Sequence, residues 1–145
     1  MPPKGQIAIF DRSWYGRVLV ERVEKYCSEA DWGRAFAEIN DFEEQMSEHG
    51  LVVVKFWLQV DPDEQLRRFR ERKATGFKRF KITEDDWRNR KKWKAYEVAT
   101  CAMFDRTSTE IAPWTLVAAN DKNSARLLVL ETLTNRLESH LDRKR

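Results

Sequence analysis

The sequence has 145 residues, 41% of them hydrophobic and 35% charged, with a formal net charge of +3. That length suits one domain, and eight Phe, six Trp and three Tyr supply enough aromatic surface for a core, which excludes a disordered chain. Apolar runs such as Leu51–Val54 fall far short of the roughly 20 residues of a membrane helix, so no membrane partner is expected, and the opening Met-Pro-Pro-Lys-Gly-Gln lacks the apolar centre of a signal peptide.

In chain order, Ile7-Ala8-Ile9-Phe10 is a short apolar run ending at Asp11. It predicts a buried strand over about 6–11 with an acid at its carboxyl end. Asp31 is placed to cap a helix whose apolar face is Trp32, Ala35, Phe36, Ile39, Phe42 and Met46, and Gly50 to stop it. The β-branched and aromatic run Leu51–Val60 predicts a second buried strand. Asp61-Pro62-Asp63-Glu64 then reads as a cap, a proline at the first helical position and acids in the first turn. That helix reaches about Lys73 and breaks at Thr75-Gly76.

Thr83-Glu84-Asp85-Asp86 is another capped start, for a helix carrying Trp87, Trp93, Tyr96 and Met103. A third short strand is expected over about 115–119. Asp121 follows as the cap of a last helix with Ala125, Leu128, Val129, Thr132, Leu133 and Leu137 on one face. Alternating strands and helices argue for an α/β fold with a parallel sheet. Ligands in such sheets sit beyond the carboxyl ends of the strands, which directs attention to Asp11, to Val60-Asp61 and to Asn120-Asp121-Lys122.

The modest net charge hides an asymmetry. Residues 67–94 hold thirteen Lys and Arg against four acids, a local charge of +9, leaving −6 for the remainder. A basic block on an acidic protein points to a polyanionic partner, or else to solvated helix faces. The block is ordered: Phe77-Lys78-Arg79-Phe80-Lys81 interleaves cations with aromatics between two helices, and Arg88, Arg90, Lys91, Lys92 and Lys94 follow on the next helix. Such a segment has the make-up of a lid that closes cations over phosphoryl groups and excludes water. Trp87 and Trp93 read as packing residues. The cysteines, Cys27 and Cys101, form no CxxC and read as reduced cytoplasmic thiols, and two His leave no basis for a His-based metal site.

Asp11 after an apolar run is the setting of a Walker B acid that helps hold Mg²⁺ beside a phosphate, and equally of a cap for the next turn. Arg12 and Arg17 flank that turn, where guanidinium groups could clamp phosphate oxygens or pair with Asp11, Glu21 or Glu24. Asn120-Asp121-Lys122, with Arg126 beyond, suits a turn beneath a nucleobase or an ordinary helix cap. No GxxxxGK[ST] phosphate loop occurs, the glycines standing at 5, 16, 33, 50 and 76.

Taken together, FDRSWYGRVLVERVE (Phe10–Glu24), KRFKITEDDWRNRKKWKAY (Lys78–Tyr96) and STEIAPWTLVAANDKNSAR (Ser108–Arg126) resemble, in order, the Walker B signature, the lid with the helix behind it, and the last strand and turn of the polyphosphate kinase 2 family. The resemblance implies a P-loop kinase-like three-layer α/β/α sandwich with a parallel sheet, similar to thymidylate kinase, with a helical lid over about 74–95. It implies phosphoryl transfer between inorganic polyphosphate and nucleotides with Mg²⁺, and it most resembles the branch acting on AMP. Asp11 then matches the metal-holding acid, and Arg12, Arg17, Lys81 and Arg90 are candidate catalytic groups. Lys78, Arg79, Lys81, Arg88, Asp121 and Lys122 are candidates for binding polyphosphate and nucleotide. Family members carry a glycine-rich Walker A loop before the Walker B strand, so the sequence is expected to be the C-terminal part of a kinase domain. Self-association, or pairing with an N-terminal half, is a further expectation. The alternatives are an inactive fragment that only binds polyanions and, more remotely, a nucleic-acid-binding module.

Overall fold

In the computed structural model, residues 2, 3 and 5–142 are described, apart from the side chains of Lys78 and Arg79. After Ser13 the chain makes a tight turn, Trp14–Gly16, and a wide π-helical turn, Arg17–Glu21, that runs into α1 (Arg22–Glu24). Lys25, at φ 60°, ends α1 in the left-handed region.

The long helix α2 (Glu29–Glu48) starts one turn earlier than Asp31 suggests. Ser28 is its cap: the Asp31 N–H donates to Ser28 Oγ at 3.2 Å, and the Asp31 carboxylate accepts from the Ser28 N–H at 3.2 Å. Asp31 is therefore the reciprocal third residue of a capping box rather than the cap. Gly50, at φ 82°, closes the other end. Its N–H reaches the Ser47 carbonyl at 2.8 Å, and the Leu51 N–H reaches the Met46 carbonyl at 3.1 Å, the paired bonds of a glycine stop that a β-carbon would strain. The face turned inward is Ala35, Phe36, Ile39, Glu43 and Met46. Phe42, expected inside, is 38% exposed, and Glu43 beside it is buried.

Strands β1 (Lys55–Gln59) and β2 (Trp114–Ala118) pair in parallel, Lys55 opposite Trp114 and Gln59 opposite Ala118. Between them lie α3 (Pro62–Ala74), a short 3-10 segment (Gly76–Lys81), α4 (Glu84–Lys91) and α5 (Trp93–Thr107). Parallel strands need such a crossover. The expected starts hold: Asp61 Oδ1 accepts from the Glu64 N–H at 2.7 Å, and the Asp86 carboxylate accepts from the Thr83 N–H at 2.9 Å. The single helix expected after Thr83 is interrupted at Lys92, whose φ of −98° and ψ of 22° leave the helical region. The chain ends in α6 (Lys122–Asp142), where Asp121 Oδ1 accepts from the Ser124 N–H at 2.7 Å.

Tyr15, Val18, Ala35, Phe36, Ile39 and Met103 form the main core between the turn after Asp11, α2 and α5. Val117, Ala119 and Ala125 form a smaller one under α6. Trp87 packs edge-on against the buried Phe69, ring centroids 5.2 Å apart, as a packing residue should.

The α/β class and the parallel sheet are as expected, but the strand predicted over 6–11 is not formed among the described residues, whose only sheet has two strands. Ile7, Ile9 and Phe10 are 70%, 93% and 58% exposed. A strand requires ladder bonds to a neighbour, and among the described residues β1 and β2 pair only with each other.

Candidate active site

The turn that follows Phe10 carries the first candidates. Asp11 and Arg12 are both exposed, and among the described residues the Asp11 carboxylate enters no ion pair. Arg12 has φ 57°, a left-handed backbone that a non-glycine residue adopts only when its surroundings impose it and that is concentrated at functional sites. Arg17 is otherwise engaged, its Nε lying 2.9 Å from Glu21 Oε2 along the π-helical turn. That bond realises one of the pairings open to it in the sequence.

The cations of the basic segment divide into tethered and outward-facing groups. The Arg90 guanidinium donates to the Pro62 carbonyl at 2.6 Å and to Gln65 Oε1 at 3.1 Å, joining α4 to the first turn of α3. Arg88 pairs with Asp85 at 2.9 Å and with Glu24 at 3.3 Å, and Lys92 reaches the same Glu24 oxygen at 2.7 Å. Lys81 is exposed, its ammonium 5.8 Å from the centre of the Phe80 ring. The side chains of Lys78 and Arg79 lie outside the described residues.

Glu24 therefore joins the helix that continues the Arg12 turn to α4 and to Lys92 just beyond it. Its side chain is 5% exposed. Tyr96, half-buried on α5, sits in the same field: burial and then Glu24 raise its hydroxyl pKa, while Arg12 and Arg88 act in the opposite sense. Glu24 thus holds Arg88 and Lys92 on one carboxylate although both are far from it in sequence. Asp121 and Lys122 open α6 beyond the carboxyl end of β2, with Asp121 acting as a cap and Lys122 exposed.

The two strand ends are stitched to each other. The Asp61 N–H donates to Asn120 Oδ1 at 3.1 Å, and the Arg68 guanidinium donates to the carbonyls of Ala119 and Asn120 at 2.6 and 2.9 Å. Arg68 is in turn held by Glu64 at 2.7 Å. The sequence offered Arg68 only as one cation of the basic block. Two further groups behind the site went unread: Glu43, set at helical spacing within an apolar stripe, and Lys55, set inside a β-branched run.

A family model described as polyphosphate kinase 2 matches residues 1–145. The chain belongs to the polyphosphate kinase 2 family. It is 67% identical over 138 residues to a polyphosphate:AMP phosphotransferase of Pseudomonas syringae pv. tomato, covering 95% of this chain and 28% of that protein. It is 62% identical over 139 residues to the protein of that name from Pseudomonas aeruginosa, covering 96% of this chain and 28% of that one. A crystal structure described as polyphosphate kinase 2 from Pseudomonas aeruginosa superposes with a TM-score of 0.97 at 59% identity, over 100% of this chain and 32% of the other. The chain thus spans a little over a quarter of the length of these curated relatives.

As a member of a polyphosphate kinase family, the chain carries its candidate phosphate-facing groups on the Asp11–Arg12 turn and on the lid helix, and Glu24 ties the two together. The donor set at Asp11 fits Mg²⁺, which binds through one or two carboxylates and completes its shell with waters and substrate phosphates. Among the described residues no cluster of three or more His, Cys, Asp or Glu forms a self-sufficient metal cage; the single exposed carboxylate of Asp11 would hold the ion only together with water and substrate phosphates. Among those residues, too, no helix is long and apolar enough to cross a membrane.

Proposed function

We propose that this chain serves a polyphosphate-dependent nucleotide phosphotransferase that moves a phosphoryl group from inorganic polyphosphate to AMP or ADP in the cytoplasm. The observation that carries this reading is that Glu24, on the helix continuing the Arg12 turn, takes Arg88 of α4 at 3.3 Å and Lys92 at 2.7 Å, which sets that exposed turn beside the basic segment. Phosphoryl transfer demands little covalent work of a protein and much positioning of charge. Arg12 and the lid cations supply charge opposite the transferring group, with Lys81 closing from the lid and Arg90 anchoring the lid to α3. Asp121 and Lys122, beyond β2, face the nucleotide. The lid excludes water, so that the phosphoryl group reaches a nucleotide rather than hydroxide. Mg²⁺ held at Asp11 would neutralise phosphate charge when bound.

The test is phosphoryl transfer from polyphosphate to AMP with Mg²⁺. Asp11→Asn is expected to lower turnover by at least 100-fold without unfolding the protein, since Asp11 is exposed. A near-normal rate overturns its metal role. Polyphosphate binding should weaken steeply with salt, as for any polyanion held by several cations.

One sequence fact favours a second reading, the lack of any GxxxxGK[ST] loop in these 145 residues. In it the chain binds the polyanion, and turnover requires a partner segment that supplies the loop. Binding of polyphosphate by the 145-residue chain without turnover is its signature.

A further inference from the structure

Arg12 is held in a left-handed backbone conformation, and the residues around it show what holds it. The Trp14 ring packs edge-on against Phe10, centroids 5.4 Å apart, and against Phe42, 5.1 Å apart. Phe10 and Trp14 therefore close a small loop whose tip is Asp11-Arg12-Ser13. Below that loop the Trp14 indole N–H donates to Glu43 Oε1 at 3.2 Å, and the Tyr15 hydroxyl donates to the same oxygen at 2.7 Å. The other Glu43 oxygen accepts from the Lys55 ammonium at 2.7 Å. Lys55 also donates to the Tyr15 oxygen at 2.8 Å and to the Thr107 carbonyl at 2.7 Å. Glu43 is 1% exposed.

A buried ion pair is a poor way to stabilise a core, because apolar groups of the same volume do as well. What it supplies here is direction. Two donors from consecutive residues meet at one carboxylate oxygen, and this fixes how the Trp14–Gly16 turn is rotated about its own axis. Arg12 is two residues upstream, too near to relax independently.

We propose that Glu43, made tolerable in the interior by Lys55, is a positioning residue for Arg12. Through Trp14 Nε1 and the Tyr15 hydroxyl it holds the turn that imposes the left-handed backbone on Arg12, and so aims the guanidinium and the adjoining Asp11 carboxylate outward at phosphate. Its bearing on catalysis rests on the functional reading above. The pinning of the turn does not.

The experiment uses Trp14→Phe, which keeps the ring and removes the N–H, and Tyr15→Phe, which removes only the hydroxyl. Glu43→Gln is the more drastic third variant. Backbone hydrogen exchange is followed across residues 11–16 and, as reference, across α5. Both mild variants are expected to speed exchange at 11–16 by about tenfold and leave α5 unchanged. In phosphoryl transfer each is expected to lower kcat by about tenfold in the parent protein and to have no further effect when Arg12 is already Ala, since groups acting through one residue are not additive. Unchanged exchange at 11–16, or rate losses that add to that of Arg12→Ala, overturns the proposal. If the parent protein shows no turnover, the functional reading falls, and the exchange comparison still decides whether Glu43 sets the Arg12 turn.

Discussion

The Lys55 ammonium and the Glu43 carboxylate form a 2.7 Å ion pair in which the side chains are only 5% and 0% exposed. Lys55 opens β1 opposite Trp114, and Glu43 lies on the inner face of α2, so the pair fastens the sheet to the helix. Burial pulls the lysine pKa down, against the opposing pull of Glu43. The Tyr15 hydroxyl beside them is pushed far above its ordinary value, chiefly by burial, so it remains a donor across the working pH range.

Lys55→Met removes the cation and leaves a buried carboxylate with neutral donors only. A loss on the order of 3–5 kcal/mol is expected in chemical denaturation. Adding Glu43→Leu recovers only part of it, because the Tyr15 hydroxyl and the Trp14 N–H then lose their acceptor. A loss below about 1 kcal/mol for Lys55→Met would show that the pair is not desolvated.

Arg12 supplies a second, independent check on the turn. At φ 57°, Arg12→Ala keeps the β-carbon that makes left-handed backbone unfavourable, and Arg12→Gly removes it. The glycine variant is expected to be more stable than the alanine variant by about 1 kcal/mol, even though glycine also gains freedom in the unfolded chain. Equal stabilities, measured by thermal unfolding, would mean that the backbone at 12 relaxes.

These features mark the boundary of what the sequence discloses. Caps and stops are local chemistry, so Asp61-Pro62, Thr83, Asp121 and Gly50 were legible, as were β1, β2 and the helices between them. Short motifs in order were enough to mark the family. The run at 7–10 has strand composition, but a ladder depends on a neighbour that composition cannot supply. The break at Lys92 involves neither Gly nor Pro, and it coincides with the Lys92 bond to Glu24. Arg88 and Arg90 read as cations available to phosphate, whereas a buried carboxylate and a helix carbonyl already engage them. Glu43 and Lys55 were invisible because each lies in a pattern that predicts burial of apolar groups, and only the tertiary fold shows that they are buried together.

Glu24 is the next point to test. Arg88 and Lys92, 44% and 38% exposed, both depend on its 5% exposed carboxylate for their inner contact. Glu24→Gln abolishes the charge while keeping the shape. Stability is expected to fall by on the order of 1 kcal/mol, and hydrogen exchange to quicken across α4 and the Lys92 break while α2 is unaffected. Exchange that rises equally in α2 and α4 would show a general loss of packing and remove Glu24 as the lid's anchor.

Acid should unfold the chain through its helix starts. The Asp31 carboxyl is held below its ordinary 3.8 mainly by the Ser28 hydroxyl, Asp61 by the Glu64 N–H, and Asp121 by the Ser124 N–H. Glu64 is lowered from 4.5 to about 2 by Arg67 and then Arg68. In each case the folded pKa lies below the unfolded one, so the unfolded chain binds protons first as pH falls. The stabilisation is complete above about pH 5 and is lost progressively as pH drops through the unfolded values of 4.5 and 3.8 towards about 2. Asp121→Asn separates the cap from its charge, because asparagine caps a helix nearly as well but does not titrate. That variant is expected to match the parent closely near neutral pH and to lose less stability than the parent on acidification, as followed by denaturant midpoints at stepped pH. Parallel acid limbs for the two proteins would show that Asp121 titrates alike in the folded and unfolded chain.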